Sequence, residues 1–298
     1  MIKRTEGYFT GDHHKLGSSS QNQELFFQSW TSAKARATLV LTHGISEHSE
    51  SYHEMALELV PRGWDIYAWD LRGHGRSEGK RGYIDDFHRY SRDLHHFVKH
   101  LKSGSLKNSK LPLIMMGHSM GGLITLRYLV DQGVAAPAKG LVLSSPALGI
   151  SMPIPTWKEF AARALLNYLP QVTLPNDIPH NLLTHIEERW RRYDSDPLRH
   201  DKVSAAMYFG MIEGFEKVHN AAAQIRIPTL IVAAGDERVV SRPAIEDFFP
   251  KLGAERKKLI VYEKSYHEVV NDVEREQVFN DIDLFLGSVV AASGGGAT

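Results

Sequence analysis

Gly117-His118-Ser119-Met120-Gly121 fits G-x-S-x-G, the pattern of a sharp strand-to-helix turn that lifts a serine hydroxyl above the edge of a sheet. Glycine is needed on both sides because strand and helix approach so closely there that a Cβ would clash. The pattern recurs at Gly75-Arg76-Ser77-Glu78-Gly79, and context separates the two. The first match follows an apolar run at 111–116 and enters the helical-looking stretch 123–129. The second lies between Arg72-Gly73-His74 and Lys80-Arg81-Gly82, where no helix readily starts. Ser119 is therefore the expected nucleophile and Ser77 a loop residue.

A serine hydroxyl is a weak nucleophile at neutral pH and needs an adjacent base, itself oriented by an acid. With this elbow the chain order is serine, then Asp or Glu after a late strand, then histidine after the last strand. Asp236 falls where a loop leaves the apolar run 230–234, and His267 follows the run 259–262. Glu237 is the nearest rival to Asp236 but stands one residue out of register. There are 16 histidines, so position rather than residue type selects His267. The pairs His13-His14 and His95-His96 have no companion ligands at metal spacing and read as surface residues. No metal is called for. The oxyanion of a tetrahedral intermediate needs two donors. The backbone N–H of Met120 supplies one, and the loop His43-Gly44-Ile45-Ser46-Glu47-His48 makes the Ile45 N–H the second.

Those residues need a scaffold, and the apolar patterning describes it. Short buried-looking runs at 24–30, 37–42, 64–69, 111–116, 140–143, 228–234 and 258–262 read as strands. They alternate with helical segments at 48–59, 87–101, 122–130, 243–252 and 273–286, and 71–82 reads as a glycine-rich loop. This is the α/β class, a mostly parallel sheet flanked by helices. The alternation breaks at Ser144-Ser145-Pro146 and resumes about 80 residues later, far beyond the usual connection of about 2–6 residues. The expected division is a core at 1–148, an inserted, mainly helical lid or cap at 149–223, a second core part at 224–292 and a flexible tail at 293–298. Within the insert, Trp157, Phe160, Ala164, Leu165, Tyr168 and Leu169 are apolar at helical spacing, and 205–215 forms a second apolar segment.

Composition narrows the functional classes. With 35 basic and 35 acidic residues the formal net charge is zero, which argues against a nucleic-acid partner. Hydrophobic residues at 42% and charged residues at 23% suit a globular chain rather than a disordered or fibrous one. The absence of cysteine excludes disulfides, Cys-ligated zinc, iron–sulfur clusters and a thiol nucleophile. No apolar run follows the charges at the amino terminus, and none reaches the roughly 18 residues of a membrane span. The expectation is a cytoplasmic chain that can meet a lipid surface peripherally.

Several stretches together resemble the monoacylglycerol lipase and lysophospholipase family of serine α/β-hydrolases. They are Arg4-Thr5-Glu6-Gly7-Tyr8-Phe9, His43-Gly44 with Glu47-His48-Ser49 and Tyr52, and Asp70-Leu71-Arg72-Gly73-His74-Gly75-Arg76-Ser77. To these add the elbow 117–122, Ser144-Ser145-Pro146, Asp196-Pro197-Leu198, Asp236 and Tyr266-His267. The resemblance implies the α/β-hydrolase fold, a Ser119–Asp236–His267 triad, Ile45 and Met120 as oxyanion donors, and no cofactor. It implies hydrolysis of single-chain lipid esters, above all monoacylglycerol to fatty acid and glycerol through an acyl-enzyme on Ser119. One departure is Ser51, before Tyr52, where the family often has arginine. The insert would act as a lid, with residues 150–169, including Ile150, Trp157, Phe160, Leu165 and Leu169, forming an acyl-chain wall. Lysophospholipase, general carboxylesterase and acyltransferase activities use the same triad. A ligand-binding module of this fold would not need one. Ser119 argues against epoxide hydrolases and haloalkane dehalogenases, which carry a carboxylate at the elbow.

Overall fold

The computed structural model describes residues 1–16, 19–21, 23–106, 110–151 and 156–294. Eight strands form one sheet: β1 (Lys3–Thr10), β2 (Glu24–Thr31), β3 (Ala37–Thr42), β4 (Trp64–Trp69), β5 (Leu113–His118), β6 (Ala138–Ser144), β7 (Thr229–Ala234) and β8 (Lys257–Tyr262). Their spatial order is β1-β2-β4-β3-β5-β6-β7-β8. The β1/β2 and β2/β4 pairs are antiparallel and all others are parallel. Every residue of β3, β4, β5 and β7 is buried, as parallel strands covered on both faces must be. β1 lay outside the expected strands because it is an exposed edge, with only Phe9 fully buried, and so carries no apolar run.

Helices cover both faces. Leu39, Leu41, Ile66 and Ile114 pack with α1 (His53–Leu59) and α8 (Arg275–Gly294) on one side. Val40, Trp69, Met115 and Leu141 pack with α2 (His88–His100), α3 (Met120–Gln132) and α7 (Arg242–Lys251) on the other. Between β6 and β7 the chain runs through α4 (Thr156–Tyr168), α5 (Glu187–Ser195) and α6 (Ala205–Ala221), with a small ribbon pairing Thr173–Pro175 with Lys202–Ser204. Met207, Phe215 and Val218 of α6 join the core cluster around Leu123, so this segment is packed onto the sheet layers. α8 continues through Gly294 where a tail was expected, and residues 295–298 lie outside the described set.

The strand order reverses at β3, whose neighbours are β4 and β5. In open parallel sheets the crevice at the carboxyl ends of such a pair is the usual ligand site. The loop 43–48 leaves β3 and Ser119 leaves β5, so both open into that crevice.

Candidate active site

Ser119 follows the last residue of β5 and precedes α3, with φ 51° and ψ −122°, a conformation that costs a non-glycine residue about 1–3 kcal/mol. The surroundings hold it there: its N–H donates to the Ser144 carbonyl at 3.0 Å, and its carbonyl accepts from Ala147 and Gly122 at 2.9 Å each. A Cβ on Gly117 would lie 2.5 Å from the Gly121 carbonyl oxygen, and one on Gly121 would lie 2.2 Å from that of Thr42. Sterics therefore require the two glycines that flank the elbow. Ser77 is instead a loop tie, its hydroxyl accepting from Phe26 N–H at 2.8 Å and donating to the Asp70 carbonyl at 2.6 Å.

His267 stands beyond β8, is 2% exposed, and lines the same cleft as Ser119. Its Nδ1 is 2.8 Å and 3.0 Å from the two carboxylate oxygens of Glu237. The expected partner, Asp236, points elsewhere. Its side chain is 46% exposed and is paired with Arg238 at 2.7 Å and 2.9 Å, whose guanidinium lies over the Tyr266 ring. The acid facing the histidine is thus Glu237, and the assignment to Asp236 is corrected. Side chains along an extended segment alternate sides, so a one-residue difference in where the chain leaves β7 exchanges the inward and outward carboxylates. Glu237 is locked inward because its Oε1 also accepts from Val239 and Val240 N–H at 2.9 Å and 3.2 Å.

This pairing sets the proton inventory. Burial disfavours an imidazolium, but the charge and hydrogen bond of Glu237, helped by Glu268 and Glu47, outweigh it and raise the His267 pKa. Burial likewise pushes Glu237 up, and His267 with the two backbone donors pulls it below its ordinary value. The His118 ring lies 4.8 Å from that of His267, and burial first, then the His267 charge, holds its pKa down to about 3. His118 is therefore neutral at physiological pH and places no second cation beside the base.

Met120 is the first residue of α3, so its N–H has no intrahelical acceptor. Ile45 is half-buried and lines the cleft with Gly44, Ser46 and Glu47. His43 fixes this loop: its Nε2 accepts from Leu71 N–H at 2.9 Å, which leaves Nδ1–H to donate to the Gly44 carbonyl at 2.7 Å. Burial keeps that ring neutral by lowering its pKa to about 3.

The cleft is open to solvent at its mouth. The segment between β6 and β7 contributes Asn176, Ile178, His180, Leu183 and Arg199 to its lining. Of the expected acyl-chain residues, Ile150 packs against the core, Leu165 is half-buried, and Phe160 and Leu169 are exposed; these four are not among the lining residues. Trp157 lies at the start of α4, and its side chain is outside the described set. The lining residues from the segment between β6 and β7 carry no sequence signal because they are mixed in polarity and lie on irregular chain or a short 3-10 turn. His95 and His96 lie on α2 and are half-buried, His95 beside the Tyr128 ring and His96 beside that of the exposed His13. Among the described residues, no group of three His, Cys, Asp or Glu side chains could hold a metal ion. No described helix is long and apolar enough to cross a membrane.

A family model described as Hydrolase_4, serine aminopeptidase S33, matches residues 33–274. Among curated proteins, Escherichia coli YnbC, of uncharacterised function, is 30% identical over 94% of this chain, which spans only 47% of YnbC. A Mycolicibacterium smegmatis monoacylglycerol lipase is 30% identical, covering 89% of this chain and 93% of that protein. The Bacillus subtilis phospholipase YtpA is 27% identical over 88% of this chain and 99% of its own. Among solved structures, a monoacylglycerol lipase from Paleococcus ferrophilus superposes with a TM-score of 0.79 at 27% identity, covering 89% of this chain and 99% of the other.

Proposed function

Since the chain belongs to the Hydrolase_4 family and has the α/β-hydrolase fold, we propose that it is a serine hydrolase that cleaves the ester of single-chain lipids, with monoacylglycerol the preferred substrate. The observation that carries this reading is a buried imidazole held by Glu237 in the cleft where the strained Ser119 opens. In the proposed reaction Ser119 Oγ attacks the ester carbonyl while His267 Nε2 takes its proton and passes it to the departing alcohol. Glu237 keeps the proton on Nδ1, so that Nε2 is the base, and stabilises the imidazolium. The Met120 and Ile45 N–H groups receive the oxyanion. Water, activated by the same imidazole, then attacks the acyl-enzyme and releases the fatty acid. These steps call on no cofactor.

The substrate class rests on the relatives named as monoacylglycerol lipases. In this reading the segment between β6 and β7 is a lid, and the exposed Phe160, Tyr168 and Leu169 on and just after α4 meet the lipid surface.

The test is fatty-acid release from 1-monoacylglycerols of graded chain length, beside lysophosphatidylcholine and a short soluble ester, with Ser119→Ala as control. Each buried methylene contributes about 0.8 kcal/mol, so kcat/KM should climb about four-fold per methylene until the cleft is filled. Turnover of the short ester alone would reassign the protein as a general carboxylesterase, preference for lysophosphatidylcholine would make it a lysophospholipase, and full activity in Ser119→Ala would refute the mechanism.

A further inference from the structure

Arg199 is an arginine that the proposed mechanism does not use, and it is almost completely buried. It lies on the segment between β6 and β7, just after Asp196-Pro197-Leu198, with its side chain 4% exposed. Its guanidinium stacks 3.7 Å above the Tyr193 ring and donates to Ser51 Oγ at 3.1 Å. It also stands between two buried carboxylates, 3.8 Å from Glu47 Oε2 and 3.7 Å from Glu268 Oε1. Each carboxylate belongs to a loop of the candidate site. Glu47 Oε1 accepts from the Tyr52 hydroxyl at 2.8 Å and from the N–H of Gly44, the residue before the oxyanion donor Ile45. Glu268 directly follows His267 and accepts from Tyr193 and Asn271 at 2.7 Å and 2.9 Å.

A buried carboxylate is costly unless opposed by charge. Glu47 Oε2 has no hydrogen-bond partner among the described residues, so Arg199 is its compensation. Two further links tie the same loop to the same segment: Asn176 Nδ2 to Ser46 Oγ at 2.8 Å, and His48 Nε2 to Asp196 Oδ2 at 2.9 Å. Three successive residues of the oxyanion loop are thus each held by a residue between β6 and β7. Of the three partners Asn176, Asp196 and Arg199, it is Arg199 that also reaches the histidine loop, where Tyr193 and Leu183 of the same segment bond to Glu268 as well.

We propose that Arg199 is a positioning residue: through Glu47 and Glu268 it sets the oxyanion loop and the His267 loop in catalytic register, making that register depend on how the segment between β6 and β7 is seated. The inference rests on the serine-hydrolase reading above. Its guanidinium arrives beside Ser51, the position at which the family resemblance leads one to expect arginine. In this chain the cation that compensates Glu47 comes from the segment between β6 and β7, so the Glu47 charge is balanced only while that segment is docked.

The test uses the full chain and a short chromogenic ester, so that it can be read whatever lipid is preferred, with Ser119→Ala run alongside. Misplacing an oxyanion donor by about an ångström costs about 100-fold. Arg199→Ala should therefore lower kcat about 30- to 100-fold with KM changed less than about three-fold. Ser51→Arg added to Arg199→Ala should recover at least about ten-fold in kcat by supplying the guanidinium from the loop itself. At pH 8, above the value of about 7 to which burial raises Glu47, a Glu47→Gln background removes the charge needing compensation, and Arg199→Ala should there cost less than half as much in log kcat as in the wild type. The proposal is overturned if Arg199→Ala keeps kcat within three-fold of wild type. It is equally overturned if the loss is independent of Glu47→Gln and unrescued by Ser51→Arg, or follows a loss of folded protein seen in thermal unfolding. Activity persisting in Ser119→Ala would instead refute the underlying serine-hydrolase reading, separately from any result at Arg199.

Discussion

Adjacent carboxylates at 236 and 237 allow a sharp experiment, Glu237→Gln against Asp236→Asn. Glu237 Oε1 accepts two backbone N–H bonds, from Val239 and Val240, while Oε2 lies 2.8 Å from His267 Nδ1. In Glu237→Gln the oxygen stays with its two backbone donors, which puts the amide NH2 against Nδ1. Accepting from the NH2 at the shorter contact then competes with donating to the amide oxygen at 3.0 Å; where it wins, the ring proton moves to Nε2, and the nitrogen meant to take the proton of Ser119 already carries one. Forcing the wrong tautomer in a triad of this kind costs about 10⁴ in kcat, so a fall of about 10³–10⁴ is expected, or about 4–5.5 kcal/mol of transition-state stabilisation. The Asp236 side chain pairs with Arg238 at the surface, and among the described residues no hydrogen bond joins it to His267. Asp236→Asn should keep kcat within about two-fold. Steady-state hydrolysis of a monoacylglycerol and of a soluble chromogenic ester reads both, with thermal unfolding to confirm folded protein. A hundred-fold loss in Asp236→Asn, with Glu237→Gln near wild type, would refute the reasoning.

Because Glu237 raises the His267 pKa, the acid limb of kcat/KM should fall above the ordinary histidine value of 6.5, and Glu237→Gln should move any residual limb to lower pH. A wild-type limb at or below 6.5 would contradict this. Burial, with the Glu268 charge second, raises the Glu47 pKa from 4.5 to about 7 against the pull of Arg199. A carboxyl raised on folding gives stability that is complete below pH 4.5 and is lost as pH climbs through about 7. Glu47→Gln should therefore lose less stability than wild type between pH 5 and 8 in thermal unfolding, and parallel curves would rule the effect out. Gly121→Ala would force a Cβ to within 2.3 Å of the Thr42 and His43 carbonyl oxygens and should destabilise by at least about 3 kcal/mol in denaturant titration. A loss under 1 kcal/mol would mean that the elbow is looser than its geometry indicates.

What was legible in the sequence follows from how locally each feature is encoded. β3, β5 and β7 are buried on both faces, so each is an apolar run that needs no partner to be recognised. The elbow is legible for a related reason: its two glycines answer to contacts within the strand-turn-helix unit and the loop beside it. α5, a short helix rich in charge with only Arg189 buried, has no such run and went unseen, as did the exposed edge β1.

The acid and the arginine were hidden for a different reason. Residue type placed a carboxylate after β7, but which of two neighbours turns inward depends on the exit register of the strand and on backbone donors that exist only once the turn to Val240 has formed. Arg199 reads in sequence as one more surface charge, in a chain with 35 basic residues. Its burial is created by the nearby Tyr193 together with Ser51, Glu47 and Glu268 from segments far away in sequence, and no periodicity can announce that. The departure at Ser51 nevertheless carried half of the information. A loop with a buried acid and no arginine of its own must be compensated from elsewhere, and a charged residue on the facing segment is where to look. The same argument makes positions 51 and 199 interchangeable suppliers of one charge, which is why Ser51→Arg is expected to rescue Arg199→Ala and an arginine placed at an unrelated surface position is not.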